Sequence, residues 1–137
     1  RSRPSPADPR RPTASARLPA ADLYRCVNLA MQAGLVRAAH DLSEGGLAVA
    51  AAEMCIGGRL GLTLITEEGD LFTETNGCLL VEVHPDRASE FERTMAGQPH
   101  RRLGVVVDDD NLQVSSAEQQ LISIPITQLV TAWNTTT

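Results

Sequence analysis

Ala39-His40-Asp41-Leu42-Ser43-Glu44-Gly45-Gly46-Leu47-Ala48-Val49-Ala50 carries the decision about the fold. Ahead of it, Val36 to His40 is short and apolar, the pattern of a buried strand. The polar run from Asp41 to Gly46 then breaks that pattern, and a helix follows over about Gly45 to Ile56. That helix holds Ala48, Ala50, Ala51 and Ala52, so another backbone is expected to pack close against it, with Gly57-Gly58 ending it. Strand, turn and helix in immediate succession predict a layered fold in which the turn lies at the end of a strand.

The turn is also where chemistry can reside. Gly45 and Gly46 expose backbone N–H groups at the positive end of a helix dipole, an arrangement that suits a phosphate. Ser43 can cap the helix or bond a phosphate oxygen. Asp41 repels a bare anion, an objection that falls away if Mg²⁺ bridges the two, because hard cations take carboxylate and phosphate oxygens together. A plainer account fits the same spacing: Ser43 as an N-cap only, the glycines as a tight turn, His40 as a satisfied strand-end histidine. Spacing does not choose between them. Glu74-Thr75-Asn76-Gly77 raises a similar choice, since Asn-Gly is a turn dipeptide, while Glu74 and Asn76 could face a ligand at the edge of the next strand.

Outward from this centre the elements alternate. On the N-terminal side Leu23, Cys26, Val27, Ala30, Met31 and Leu35 recur at helical spacing, with Asp22 as N-cap and Gly34 as stop. Residues 1–19, with five arginines and five prolines, read as an extended linker. On the C-terminal side Leu60 to Ile65 and Cys78 to Val83 predict strands, around an acidic loop over Thr66 to Asp70. Pro85 opens a helix through Met95 with Phe91 inward. Leu103 to Val107 and Leu112 to Val114 are expected to be two strands across an Asp108-Asp109-Asp110-Asn111 turn. Leu121 to Ile124 adds a short strand, followed by a closing helix holding Leu129, Val130 and Trp133. The sum is an α+β sandwich: a small mixed sheet with helices packed on one face.

Composition narrows the function. The 137 residues are 42 % hydrophobic and 21 % charged, enough for one globular domain with a real core, although aromatic residues make up only 3 %. Every one of the 12 basic side chains is arginine, and the formal charge is −5. Residues 1–17 carry five arginines against Asp8 but no aromatic for base stacking, and the acidic remainder argues against nucleic acid as a partner. No apolar run is long enough to span a membrane. Cys26, Cys55 and Cys78 are odd in number and form no CxxC, so a disulfide framework or zinc site is not expected, and the chain suits a reducing cytoplasm. His84 and His100 sit in loops beside prolines, and no catalytic triad assembles. A chain opening on Arg1 is expected to be a processed product or a piece of something longer.

Taken together, Ala39 to Ala50 with Ala52-Glu53-Met54 resembles the signature of the C-terminal domain of aminoimidazole ribonucleotide synthetase-like proteins. Within that superfamily it is most similar to the synthetase subunit of the phosphoribosylformylglycinamidine synthase family, which typically carries H-D-x-S-[DE]-G-G-L-A-V-A-x-A-E-M. Leu71-Phe72-Thr73-Glu74 through Val83, Leu103-Gly104-Val105-Val106 and the stretch from Ile124 to Trp133 resemble that family's later landmarks in order. Those synthetases contain two similar halves, and Ser43-Glu44 with Trp133 resembles the second copy, which places residues 20–137 as its C-terminal domain.

The resemblance implies an ATP-dependent ligase of purine biosynthesis. It converts formylglycinamide ribonucleotide, glutamine and ATP into formylglycinamidine ribonucleotide, with a glutaminase subunit or domain supplying ammonia. It further implies ATP or ADP with Mg²⁺ near Asp41 and Ser43, the two positions carried over from the family; Gly45 and Gly46 at the phosphates and His40, Glu74 and Asn76 lining the cleft are expectations from the residues themselves. No catalytic residue is carried over, so the chain alone is expected to be inactive and to pack against sister domains. Such a face, left uncovered, would be an apolar patch or pair in a homodimer. The family arginine at the strand start is Cys78 here. Two other expectations compete: a C-terminal domain from selenophosphate synthetase, thiamine-monophosphate kinase or the hydrogenase maturation protein, and a non-catalytic interaction module.

Overall fold

A computed structural model of the chain describes residues 14–74 and 77–136. They form α1 (Ala14–Gln32), β1 (Val36–Asp41), α2 (Gly46–Gly58), β2 (Gly61–Ile65), β3 (Leu79–Val83), α3 (Ala88–Thr94), β4 (Gly104–Val107), β5 (Asn111–Ser115), β6 (Gln120–Pro125) and α4 (Ile126–Thr136). Short 3₁₀ turns cover Glu68–Asp70 and Pro85–Arg87. The fold is mixed α+β, as the sequence pattern implies, and it divides into two compact units.

The smaller unit, residues up to 35 together with 84–100, packs α1 against α3. Its apolar interior is Val27, Ala30, Leu35, Phe91 and Met95. Helix α1 stops as expected: Leu35 N–H donates across Gly34 to the Ala30 carbonyl at 2.9 Å, so the last turn is closed by backbone. The start of α1 differs from expectation. It begins at Ala14, so Asp22 lies inside the helix and pairs with Arg25 at 3.4 Å on the exposed side, capping nothing. Residues 14–19 of the expected linker are therefore helical, and residues 1–13 lie outside the described residues. His84, for which the sequence offers no partner, caps the 3₁₀ turn by accepting from Asp86 N–H at 3.2 Å.

The larger unit, residues 36–83 and 101–137, holds two sheets where the sequence suggests one. β1 and β3 form an antiparallel pair, and β4-β2-β5-β6 form a mixed sheet of four. Helix α2 contacts β1 and β3, β2 and β5, and α4. This explains its alanines: a helix packed on several sides has room only for small residues, and Ala48, Ala50, Ala51 and Cys55 are all buried. Ala48, Ala51 and Cys55 join Leu62, Leu64, Leu71, Leu112, Val114 and Ile126 to make the core. The helix ends on Gly57-Gly58 as expected, but neither glycine takes the left-handed cap. Arg59, at φ 55, closes it by donating to the Cys55 carbonyl at 2.8 Å.

The expected β4–β5 hairpin is also corrected. β2 lies between these strands, antiparallel to β4 and parallel to β5. The 108–110 turn therefore crosses over the start of β2, and Gly61 is what allows it. A Cβ there would fall 2.6 Å from the Asn111 carbonyl oxygen and 3.0 Å from that of Asp109. Asp109 secures the crossing by accepting from Asn111 N–H at 2.9 Å.

Of the cysteines, Cys55 is buried, while Cys26 and Cys78 are half-buried, and none is in a disulfide. Burial, with a smaller push from Asp109, raises the Cys55 thiol to about 11. An excluded, protonated thiol does not react, so Cys26 and Cys78 are expected to label with a maleimide well before Cys55, as peptide mass spectrometry of a time course will show. The sign for stability follows: the unfolded thiol, near 9.0, ionises first, so stability falls as pH climbs from about 9 towards about 11.

Candidate functional site

The turn between β1 and α2 is built from backbone constraints. β1 delivers Asp41 at its last position, and Leu42 N–H extends the pairing by donating to the Cys78 carbonyl at 3.2 Å. Ser43 Oγ donates to Asp41 Oδ2 at 2.9 Å, so the serine orients the carboxylate and does not cap α2. Gly45 and Gly46 both take left-handed backbone, φ 74 and φ 66.

The segment 71–74 straps the start of α2. The Leu71 carbonyl accepts from Ala48 N–H at 2.9 Å, and a Cβ on Gly46 would lie 2.7 Å from the Thr73 carbonyl oxygen. Glu74 Oε1 accepts from Gly45 N–H at 3.1 Å. Sequence reasoning placed Glu74 at a cleft edge. The structure brings it onto the very N–H expected to face a phosphate, and an internal carboxylate already occupies that donor. Asn76 lies outside the described residues.

His40 links this cluster to α2, its Nδ1 lying 3.7 Å from Asp41 Oδ1. Its Nδ1 faces the Asp41 carbonyl oxygen at 3.0 Å, and its Nε2 contacts Glu53 Oε2 on α2. Sequence reasoning missed Glu53 as a partner, although a lone carboxylate in an alanine-rich helix is a signal that it faces something polar. On the same side, Arg37 and Glu82 pair across β1 and β3 at 3.9 Å, and with His40, Met54 and Gly57 they border a shallow cavity of about 460 Å³.

Chemically, the turn presents oxygen: the exposed carboxylates of Asp41 and Glu74 and the Ser43 hydroxyl. That donor set is the hard one Mg²⁺ takes, and it disfavours a bare phosphate. No group of three or more His, Cys, Asp or Glu comes together among the described residues to hold a metal unaided, so any cation there would need phosphate or water oxygens as well.

Residues 7–116 match the family of the AIR synthase related protein, C-terminal domain. The chain belongs to that family. As an AIR synthase-type C-terminal domain it is 41 % identical over 103 residues to phosphoribosylformylglycinamidine synthase subunit PurL of Lactobacillus helveticus, covering 73 % of this chain and 14 % of that protein. To the Synechocystis PurL it is 37 % identical over 128 residues, covering 83 % of this chain and 17 % of the relative. The chain thus spans less than a fifth of these relatives. Among solved structures, the Thermotoga maritima PurL complexed with ATP superposes with a TM-score of 0.70 at 21 % identity, covering 79 % of this chain and 21 % of that one. The hydrogenase maturation protein HypE in complex with ATP gives 0.61 at 18 % identity, over 74 % of this chain and 40 % of that chain. At such identities the likeness is one of fold. Among the described residues no helix is long and apolar enough to cross a membrane.

Proposed function

We propose that this domain serves as the C-terminal domain of the second half of a PurL-type ligase, which forms formylglycinamidine ribonucleotide from formylglycinamide ribonucleotide, glutamine and ATP in the cytoplasm. Its role there is to wall a nucleotide cleft, with catalysis supplied by sister domains. The single observation that carries this is the filling of Gly45 N–H by Glu74, beside a carboxylate already oriented by Ser43. A turn so furnished holds a nucleotide only through a cation, with Asp41 and Ser43 on the cation side and Gly46 fixing the strap. It offers neither a nucleophile nor a base aimed at a reacting carbon. Mg²⁺, when bound, would neutralise the phosphate charge against Asp41.

The identity of 41 % to a PurL subunit supports this parent over the hydrogenase maturation sibling, which shares only fold. The Thermotoga maritima PurL has been solved with ATP, with ADP and with FGAR, and as a PurLQS assembly, which supports nucleotide and partner subunits for this chain's parent. Glutaminase-type partners would meet the assembled synthase; the domain itself meets sister domains.

In a synthase containing this domain, Asp41→Ala with Ser43→Ala is expected to cut co-purifying nucleotide by about tenfold, the loss of one charge-assisted contact. Turnover should change less than retention. Unchanged retention, measured by chromatography of the denatured protein's supernatant, would show the site to be misassigned.

A further inference from the structure

Edge strands invite pairing, and proteins blunt them with charge, proline or bulges. Three of the four edge strands among the described residues are blunted. β1 has a register shift between Val36 and Ala38, with Arg37 in it. β3 carries Glu82 and is followed by the Pro85 turn, and β6 has a register shift opposite Val114/Ser115 and ends in Pro125. β4 alone has none of these: Gly104-Val105-Val106-Val107 is apolar and unbulged, and it pairs only with β2.

Its hydrogen-bonding side is determined. Ile65 N–H donates to the Leu103 carbonyl, so with the Thr63↔Val105 register residues 103, 105 and 107 address β2. The backbone groups of Gly104 and Val106 therefore face the open edge, where they have no partner among the described residues. Val105 and Ile65, 43 % and 62 % exposed, lie together on the outer face of the sheet.

The charges flanking β4 have opposite signs: Arg101-Arg102 before it and Asp108-Asp109 after it. We propose that β4 pairs antiparallel with β4 of a second copy of this chain, in a register centred on Val105. Residues facing an open edge must oppose residues that do the same, so Gly104 meets Val106 of the other copy and they exchange two hydrogen bonds. That register sets Arg102, just before β4, opposite Asp108, just after it, at both ends by the two-fold symmetry. Arg102 and Asp108 have no ion partner among the described residues, while Arg101 has only the exposed Asp70 at 3.8 Å. Two four-stranded sheets become one continuous sheet of eight, with Val105 against Val105 at its centre.

Analytical ultracentrifugation of the 137-residue chain tests this. At about 0.1 mM the wild type should sediment as a dimer, since a small interface with a Kd of about 10 µM is mostly occupied there. Val106→Pro removes an outward N–H without breaking a bond inside the chain, and should give a monomer with an unchanged circular dichroism spectrum. Arg102→Asp and Asp108→Arg should each weaken the dimer about tenfold, and the double variant should return to within about threefold of wild type. Recovery in the double variant requires the two residues to face one another across copies, whatever Val106→Pro does to folding. A monomeric wild type, a dimer untouched by Val106→Pro, or two charge reversals whose losses add would overturn the proposal.

Discussion

Gly46→Ala should lower the unfolding free energy by about 3 to 5 kcal/mol. Two costs coincide there. An alanine held at φ 66 sits in left-handed backbone, at about 1 to 2 kcal/mol. Its methyl would also press on backbone, 2.7 Å from the Thr73 oxygen and 2.8 Å from the Phe72 carbonyl carbon, and no side-chain rotation relieves that. The 71–74 strap must lift, loosening the Ala48–Leu71 bond and the Glu74 contact with Gly45, at about 1 kcal/mol each. Gly57→Ala is the control. It lies in the same helix with nothing within 4 Å of its new Cβ, and should change stability by no more than about 1 kcal/mol, in the stabilising direction. Urea titration of both variants measures the difference. A Gly46→Ala midpoint close to that of Gly57→Ala would mean that the strap does not rest on the turn.

Leu112→Ala follows, at about 3 to 4 kcal/mol. Leu112 is 2 % exposed and lies on β5 between Leu62 and Ile124 in cross-strand register, facing the core that α2 closes. Its neighbours belong to paired strands and cannot move in to fill the space, so both the transfer cost and the cavity cost apply. Ser123→Ala, on the opposite face of the neighbouring strand, should stay within about 0.5 kcal/mol. If thermal melts ranked the two alike, the assignment of faces to the four-stranded sheet would be wrong.

Much of this was legible before any coordinates. The alternation of apolar stretches with Gly- and Asp-rich turns marked every strand to within a residue or two, because side-chain burial imposes the period of each element locally. The Asp41–Gly46 turn was legible as well, since two consecutive glycines between a strand and a helix leave few other conformations. Asp22 misled because a good N-cap residue is equally stable on a helix surface beside Arg25. The turn at 108–110 misled because a hairpin and a split pair share the same local pattern. Which one forms depends on whether a third strand enters, and that is a property of residues far away in the chain.

The same division runs through the candidate site. Local chemistry by itself placed Asp41, Ser43, Gly45 and Gly46 on one turn and made its donors hard oxygens. It also set the class of fold, through an alanine-rich helix that must be packed on several sides. Only tertiary structure decided what those groups do to one another: that Ser43 serves Asp41 and leaves the helix without a side-chain cap, that His40 engages Glu53, and that Glu74 closes over Gly45 N–H from 29 residues away. The reason is physical. Spacing along a chain determines which face a side chain takes within its own element, whereas a hydrogen bond is a competition among all acceptors that folding brings within about 3 Å, and most of those come from elsewhere.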